Sequence, residues 1–221
     1  MSTYLKICGI RRREDVDYLN EFPPDFAGFI CAKPFWRYVS PEVFRALVLR
    51  LDGRITRVGV FVDPVIADMT PYTPYLDVIQ LHGNESTGLI AKIRNNFPDV
   101  QLWKAVRVRT AQDIADADKL DVDKLVLDSF SAKAVGGTGE LAPWDIIARN
   151  RPEKPFLLAG GITPENVSQA IADVAPWGVD ASSSLETDRC KDRAKIQSMV
   201  QNPCFLAKGG GTRNGVYDAG L

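Results

Sequence analysis

The sequence predicts an α/β protein that folds as a single (β/α)8 barrel, the TIM barrel. Eight short runs rich in β-branched residues alternate with amphipathic segments, a pattern typical of parallel strands joined by helices. The 221 residues suit one barrel better than two small domains. A doubly wound open sheet is the alternative, but no GxGxxG motif follows the first run, as it does in many open dinucleotide-binding sheets.

The predicted strands are short and spread along most of the chain. Two of the intervening segments have clear helix start signals, because Ser40–Pro41 and Thr163–Pro164 each place a hydroxyl before a proline. Residues 1–207 are therefore assigned to the barrel, and the glycine-rich residues 208–221 are predicted to be a disordered tail. The eight predicted strands are Tyr4–Cys8, Phe26–Cys31, Arg57–Val62, Val78–Leu81, Gln101–Val106, Lys124–Leu127, Phe156–Ala159 and Gly178–Ala181.

Composition disfavours several classes of function. Net charge is −1, with no excess of basic residues to favour a nucleic-acid partner. No apolar run is long enough to cross a bilayer, and the first residues lack the features of a secretory leader. The four cysteines form no CxxC motif, so we expect reduced thiols and a cytoplasmic location.

Reactive and polar residues follow several predicted strands, at the end of a barrel where active sites lie. Cys8 ends the first strand and Asp128 follows the sixth. A thiol can act as a base once positive charge or amide dipoles lower its pKa, and a desolvated carboxylic acid can donate a proton. Cys8 could instead be a small buried apolar residue, and Asp128 could be a helix N-cap.

Two further polar residues, Gln80 and His82, lie at the end of the fourth strand. The chain contains only one histidine, so a zinc site built on a histidine pair is not favoured, and we expect no metal. His82 is better interpreted as a hydrogen-bonding residue of the site wall.

Small residues follow the last two predicted strands. Gly160 and Gly161 allow backbone amides to approach a ligand, and Ser182 and Ser183 add hydroxyl donors. The loops after strands seven and eight form the usual phosphate site of such barrels, although these residues could simply be turn formers. The pairing predicts a phosphorylated small-molecule substrate, over which the glycine-rich run 136–139 could close as a mobile loop.

A set of motifs, in order, resembles the phosphoribosylanthranilate isomerases of tryptophan biosynthesis. Each motif is weak alone, but together they extend from residue 4 to about residue 187. The matching stretches are KICGI, RYVSPE, RVGVFV, IQLHG, LVLDS, GGTG, LAGGITPENV and VDASSSLE.

The resemblance implies a cofactor-independent barrel enzyme that catalyses an Amadori rearrangement of N-(5-phosphoribosyl)anthranilate. By resemblance, Asp128 is the general acid that opens the furanose ring and Cys8 is the general base that removes the C2′ proton. Arg37 would bind the anthranilate carboxylate, for which a planar guanidinium is well suited. A monomer or a homodimer is expected. Further residues assigned to substrate binding are Gln80, His82, Gly137 and Gly139, and those assigned to phosphate are Gly160, Gly161, Asp180, Ser182 and Ser183.

The chain departs from the family pattern at four places. Phe35 and Trp36 precede Arg37 where the family usually has a serine nearby, and Ser184 replaces a glycine near the phosphate. Glu140 stands where lysine is frequent, and the glycine-rich tail has no counterpart in the family pattern. These departures concern substrate affinity and loop detail rather than the proposed acid and base.

Two alternative functions remain at this point. Another phosphosugar barrel enzyme, such as a Schiff-base aldolase, would need an inward lysine, for which Lys6 and Lys104 are candidates. A barrel that has lost activity and serves as a binding module would have no need to retain both Cys8 and Asp128.

A redox link between neighbouring strands is a further expectation. Adjacent strands lie about 4.8 Å apart, a spacing compatible with a disulfide between Cys8 and Cys31. Alternatively, Cys31 fills space in the core, since the face of the strand on which it lies is not evident from the sequence.

Overall fold

A computed structural model describes residues 3–128 and 143–206, and within them eight parallel strands close into a barrel in the order β1 to β8. Closure comes from pairing of β1 with β8, in which Tyr4 lies opposite Gly178. The predicted barrel is confirmed, and every predicted strand is found within one residue at each end. The strands are β1 Tyr4–Cys8, β2 Phe26–Ile30, β3 Thr56–Phe61, β4 Val78–Leu81, β5 Gln101–Arg107, β6 Lys124–Asp128, β7 Phe156–Ala159 and β8 Gly178–Ala181.

Helices follow the strands and cover the outside of the barrel. The helix start at Ser40 is as predicted, because the Ser40 hydroxyl accepts a hydrogen bond from the Val43 amide. The helices are α1 Arg13–Glu21, α2 Pro41–Val48, α3 Ile66–Met69, α4 Thr87–Asn96, α5 Ala111–Asp118, α6 Pro143–Arg149, α7 Val167–Val174, α8 Arg193–Val200 and α9 Pro203–Leu206. Among the described residues, no helix is both long and apolar enough to span a bilayer.

The predicted start of the seventh helix is wrong. Thr163 does not cap α7, which begins at Val167. Instead, the Thr163 hydroxyl accepts hydrogen bonds from the amides of Glu165 and Asn166, and the Asn166 side chain accepts one from the Thr163 amide. These reciprocal side-chain contacts stabilise a turn before the helix.

Alternation along the strands separates an inner core from an outer one. Inward side chains such as Phe26 and Trp103 fill the barrel interior, where their rings meet edge to face at 5.1 Å. Outward side chains such as Leu5, Ile7 and Phe29 pack in the larger core beneath the helices. The barrel interior is thus a packed apolar core toward the amino ends of the strands, and polar groups gather nearer the carboxyl ends.

The same alternation contradicts the predicted Cys8–Cys31 link. Cys8 pairs with Gly28 and lies on the inner side, where it lines the cavity at the barrel mouth. Cys31 lies three residues beyond Gly28 and packs in the outer core with Phe29. Since their side chains lie on opposite faces, the disulfide prediction is wrong, and both thiols are free.

A short hairpin follows the last barrel strand. Strands β9 (Glu186–Thr187) and β10 (Cys190–Lys191) pair antiparallel through a turn in which Asp188 and Arg189 both have positive φ angles, of 50° and 61°. The two connecting residues lie in the left-handed region, as a tight two-residue hairpin requires. This hairpin brings Glu186 and Lys191 to the barrel mouth.

Candidate active site

A cavity of about 580 Å³ opens at the carboxyl ends of the barrel strands. It is the place where barrel enzymes carry their active sites. All the predicted site residues that the structure describes line this cavity: Cys8, Arg37, Gln80, His82, Asp128, Gly160, Gly161, Asp180, Ser182 and Ser183. Gly137 and Gly139, like Glu140 and the tail from residue 207 onward, lie outside the described residues.

A buried group of charges surrounds the Cys8 thiol. Lys6 is fully buried, and its Nζ lies 2.7 Å from the Asp180 carboxylate. Burial raises the pKa of Cys8, Lys6 lowers it and Asp180 raises it, so that the pKa lies above its ordinary value. Burial lowers the pKa of Lys6, but Asp180 and Cys8 together outweigh burial and the pKa is raised, so Lys6 remains an ammonium.

Gly9 and Gly28 make room around Cys8. A Cβ on Gly28 would lie 2.7 Å from Cys8 Sγ, too close for a side chain at that position. Gly9 has a φ of 86°, and a Cβ there would lie 2.7 Å from Arg37 Cδ. The glycine after the thiol therefore permits both the turn and the close approach of Arg37.

Arg37 lies at the cavity mouth and is tied to a neighbouring carboxylate. Its Nε and one terminal nitrogen donate to the two oxygens of Glu186 at 2.9 and 2.8 Å. The Trp36 ring lies against the guanidinium, with 4.1 Å between the Arg37 Cζ and the ring centroid. Lys191 also donates to Glu186, at 2.9 Å, and to the carbonyl of Ser182.

The glycine pair after β7 has the backbone conformation that glycine favours. Gly160 and Gly161 have φ angles of 88° and 68°, and a Cβ on Gly161 would meet no atom within 4 Å. After β8, the Ser182 hydroxyl donates to the Cys8 carbonyl at the end of the neighbouring β1, and the Ser184 hydroxyl donates to the Ile162 carbonyl in the loop after the neighbouring β7. The loops after β7 and β8 are thus joined by the hydroxyl of Ser184, the residue that replaces a glycine of the family pattern.

The wall opposite β8 carries Gln80 and His82 at the end of β4, whereas Asp128 ends β6, beside β7. Gln80 is 1% exposed, and its Oε1 is buried without a hydrogen-bond partner, as is Oδ1 of Asp180. Solvent reaches His82, but the cavity walls surround it. The burial of His82 between these walls is the main cause that lowers its pKa, and the charge of Lys6 lowers the pKa further. The imidazole is therefore neutral at neutral pH. The wall therefore offers hydrogen-bond acceptors to a polyhydroxylated ligand.

Sequence reasoning missed several residues of the site. Arg107 lines the cavity at the end of β5 and could have been found by the strand-end rule that found Asp128. Glu186 and Lys191 follow the last barrel strand, in a hairpin that no glycine or asparagine marks. Within the described ranges, no three His, Cys, Asp or Glu side chains are grouped so that they could hold a metal ion.

The fold and the cavity together define a (β/α)8-barrel protein with a polar site at the carboxyl ends of its strands. Comparison with known proteins then identifies the family. The family model for N-(5'-phosphoribosyl)anthranilate isomerase matches residues 5–202. The isomerase of Acetivibrio thermocellus is 40% identical over 207 residues, covering 90% of this chain and 94% of the relative.

Solved structures show the same likeness. A phosphoribosylanthranilate isomerase in complex with reduced 1-(o-carboxyphenylamino)-1-deoxyribulose 5-phosphate has a TM-score of 0.77 and 33% identity, covering 90% of this chain and 97% of that one. Monomers generated from the dimeric isomerase of Thermotoga maritima give a TM-score of 0.76 at the same identity and coverage. This chain belongs to the N-(5'-phosphoribosyl)anthranilate isomerase family.

Proposed function

We propose that this protein catalyses the Amadori rearrangement of N-(5-phosphoribosyl)anthranilate to 1-(2-carboxyphenylamino)-1-deoxyribulose 5-phosphate in L-tryptophan biosynthesis. The observation that carries the proposal is the convergence of Cys8 and Asp128 on one cavity in a member of this family. One residue can accept a proton and the other can donate one, as an aldose–ketose isomerisation needs.

The proposed reaction has two proton transfers. Asp128 protonates the ring oxygen, the C1′–O bond breaks, and the nitrogen lone pair forms the protonated Schiff base. Cys8, as a thiolate, then removes the C2′ proton, and the electron pair moves to give the enolamine. Tautomerisation moves the 2′-hydroxyl proton away and places a proton on C1′, which gives the ketone.

The charges near Cys8 support its role as the base. Lys6 and Lys191 both lower the pKa of the thiol and so favour the thiolate, although burial and Asp180 act more strongly in the other direction. The reactive form is therefore the minor one at neutral pH. Two fixed cations beside the thiol are what a buried thiolate requires when it does form.

The phosphate is assigned to the joined loops after β7 and β8. Backbone amides around Gly160 and Gly161 and the groups of Ser182 and Ser183 face the cavity, and a glycine-lined loop suits close approach of an anion. Asp180 is better assigned to Lys6 than to phosphate, because a carboxylate repels an anion and its Oδ2 already accepts from Lys6.

The rest of the substrate would contact the opposite wall and the mouth. Gln80 and His82 lie where they could bind sugar hydroxyls, and Arg37 could bind the anthranilate carboxylate with the guanidinium edge that Glu186 leaves free. Both a monomer and a homodimer fit the proposal, since the relative from Thermotoga maritima is dimeric.

The test is turnover of N-(5-phosphoribosyl)anthranilate by the purified protein, together with complementation of a tryptophan auxotroph that lacks this isomerase step. Growth and turnover are expected with the parent chain, and turnover lowered by about 10²-fold or more is expected with Cys8→Ala. A folded parent protein that leaves the substrate unchanged would refute the proposal.

A further inference from the structure

Arg37 is restrained on several sides by residues that sequence reasoning did not assign to the site. Glu186 accepts two hydrogen bonds from one edge of its guanidinium, at 2.9 and 2.8 Å, and the side chain of Glu186 is only 8% exposed. Trp36 packs against the guanidinium, and the absence of a side chain at Gly9 leaves space for Arg37 Cδ. An arginine is a long and flexible side chain, so such restraint sets its direction before a ligand arrives.

Glu186 also joins Arg37 to the rest of the site. Lys191, whose side chain is 1% exposed, donates to Glu186 and to the Ser182 carbonyl, each at 2.9 Å. The Ser182 hydroxyl in turn donates to the Cys8 carbonyl at 3.0 Å. One continuous set of contacts therefore connects the arginine at the mouth with the loop after β8 and with the end of β1.

The charges in this network are unbalanced. Glu186 is one anion between two cations, Arg37 and Lys191, and the network carries one net positive charge. Burial would raise the pKa of Glu186, but hydrogen bonds from both cations outweigh it and lower the pKa, so the carboxylate stays ionised. A guanidinium has five N–H donors, and Glu186 takes two of them, so Arg37 retains donors for a second carboxylate.

We infer that Glu186 is a positioning residue that directs Arg37 toward the carboxylate of the substrate's aromatic ring. This inference rests on the proposed function for the identity of the substrate. Glu186 would not touch the substrate itself. Its contribution would be the orientation of Arg37, while the net positive charge that an aromatic carboxylate then neutralises comes from Arg37 and Lys191.

The test measures binding of two compounds by calorimetry to the parent chain and to Glu186→Gln. One is reduced 1-(o-carboxyphenylamino)-1-deoxyribulose 5-phosphate, and the other is the same compound with hydrogen in place of the carboxyl group. Glutamine keeps one oxygen but turns an amide N–H2 toward a guanidinium donor. We therefore expect Glu186→Gln to weaken binding of the carboxylated compound by about 10-fold or more, as the loss of a charge-assisted pair does.

The second compound separates positioning from general damage. Its binding should change by less than about two-fold, because it has no carboxylate for Arg37 to recognise. Glu21→Gln is the matched control, since Glu21 also accepts two hydrogen bonds from an arginine, Arg193, but on the exposed surface. Both compounds should bind to Glu21→Gln as tightly as they bind to the parent.

Two results would overturn the inference. Equal weakening of both compounds in Glu186→Gln would mean that the hairpin has merely loosened, and unchanged binding of both would mean that Arg37 does not depend on Glu186. The proposed function is tested separately by turnover in the parent chain. A parent that prefers the carboxylated compound but does not isomerise the substrate would refute the function and leave the role of Glu186 standing.

Discussion

Replacement of Gly28 by alanine should reduce catalysis without touching a residue that is charged or reactive. A Cβ at this position would lie 2.7 Å from Cys8 Sγ and 3.1 Å from Cys8 Cα. Since non-bonded atoms pack at roughly 3.5–4.0 Å, the thiol must move by about 1 Å. The backbone of β1 is held by strand pairing on both sides, so it yields only by the few tenths of an ångström that the contact with Cys8 Cα requires, and the thiol takes up most of the displacement.

The size of the effect follows from that displacement. Overpacking of this kind costs about 1–3 kcal/mol of stability. A displacement of about 1 Å at a reacting group can cost on the order of 10²-fold in rate. We therefore expect Gly28→Ala to fold, with a lower urea midpoint, and to lose about 10²-fold in kcat for N-(5-phosphoribosyl)anthranilate.

Gly59→Ala is the matched control for this prediction. Its Cβ would lie 2.6 Å from Leu76 Cδ1 and 3.0 Å from Phe61, a comparable clash, but with outer-core residues away from Cys8. This variant should lose stability and retain kcat within a few-fold. Normal turnover in Gly28→Ala, or an equal loss of kcat in Gly59→Ala, would show that the position of the Cys8 thiol does not limit catalysis.

Three further predictions concern the acid–base pair, the phosphate loop and stability. Cys8→Ala and Asp128→Asn should each lower kcat by about 10²-fold or more. Because burial raises the pKa of Cys8, the kcat/KM of the parent should also rise from neutral to alkaline pH. A pH-independent kcat/KM would count against Cys8 as the base. Gly161 has a φ of 68°, and this left-handed backbone costs a residue with a side chain about 1–2 kcal/mol. Gly161→Leu should therefore disturb the loop and raise KM by about 10-fold. An unchanged KM would place the phosphate elsewhere. Burial raises the pKa of Glu85, but Lys104 and backbone hydrogen bonds together outweigh burial and lower the pKa below its ordinary value. The pair therefore stabilises the fold fully above the ordinary pKa of a glutamate and less as the pH falls below it. The Glu85→Gln deficit in urea unfolding should shrink between pH 7 and pH 4, and a constant deficit would contradict the pairing.

Most of the cavity was predictable because strand ends are strong signals. Short β-branched runs located the strands, and the carboxyl ends of parallel strands in a barrel necessarily share one edge. Cys8, Gln80, Asp128 and Asp180 then follow from counting to the end of each run. Their grouping required no knowledge of side-chain contacts.

What could not be predicted depends on register and on irregular backbone. The outward direction of Cys31 follows from the pairing of Cys8 with Gly28, and that register is a tertiary property. Glu186 and Lys191 reach the site through a hairpin whose turn residues, Asp188 and Arg189, carry no glycine signal for their positive φ angles. Both features depend on contacts between segments that are distant in sequence.

The two candidate lysines argue against a Schiff-base aldolase, since only Lys6 lies inside the barrel, whereas Lys104 lies on the outer side of β5, between the inward residues Trp103 and Ala105. An aldolase lysine must become a neutral, free amine, whereas Lys6 is paired with Asp180 at 2.7 Å and has a raised pKa. Breaking such a buried pair costs about 3–5 kcal/mol, because one charge is left without its partner.

Lys104 is no more available for that chemistry. Its Nζ donates to the carbonyls of Gly83 and Ala105 at 2.8 and 2.9 Å, and lies 3.0 Å from a carboxylate oxygen of Glu85, so two hydrogen bonds and an ion pair hold it. Both lysines thus act as fixed cations rather than nucleophiles. A fixed ammonium beside Cys8 can stabilise a thiolate. The proposed proton transfer at C2′ requires such a thiolate, whereas imine formation by an enzyme lysine does not.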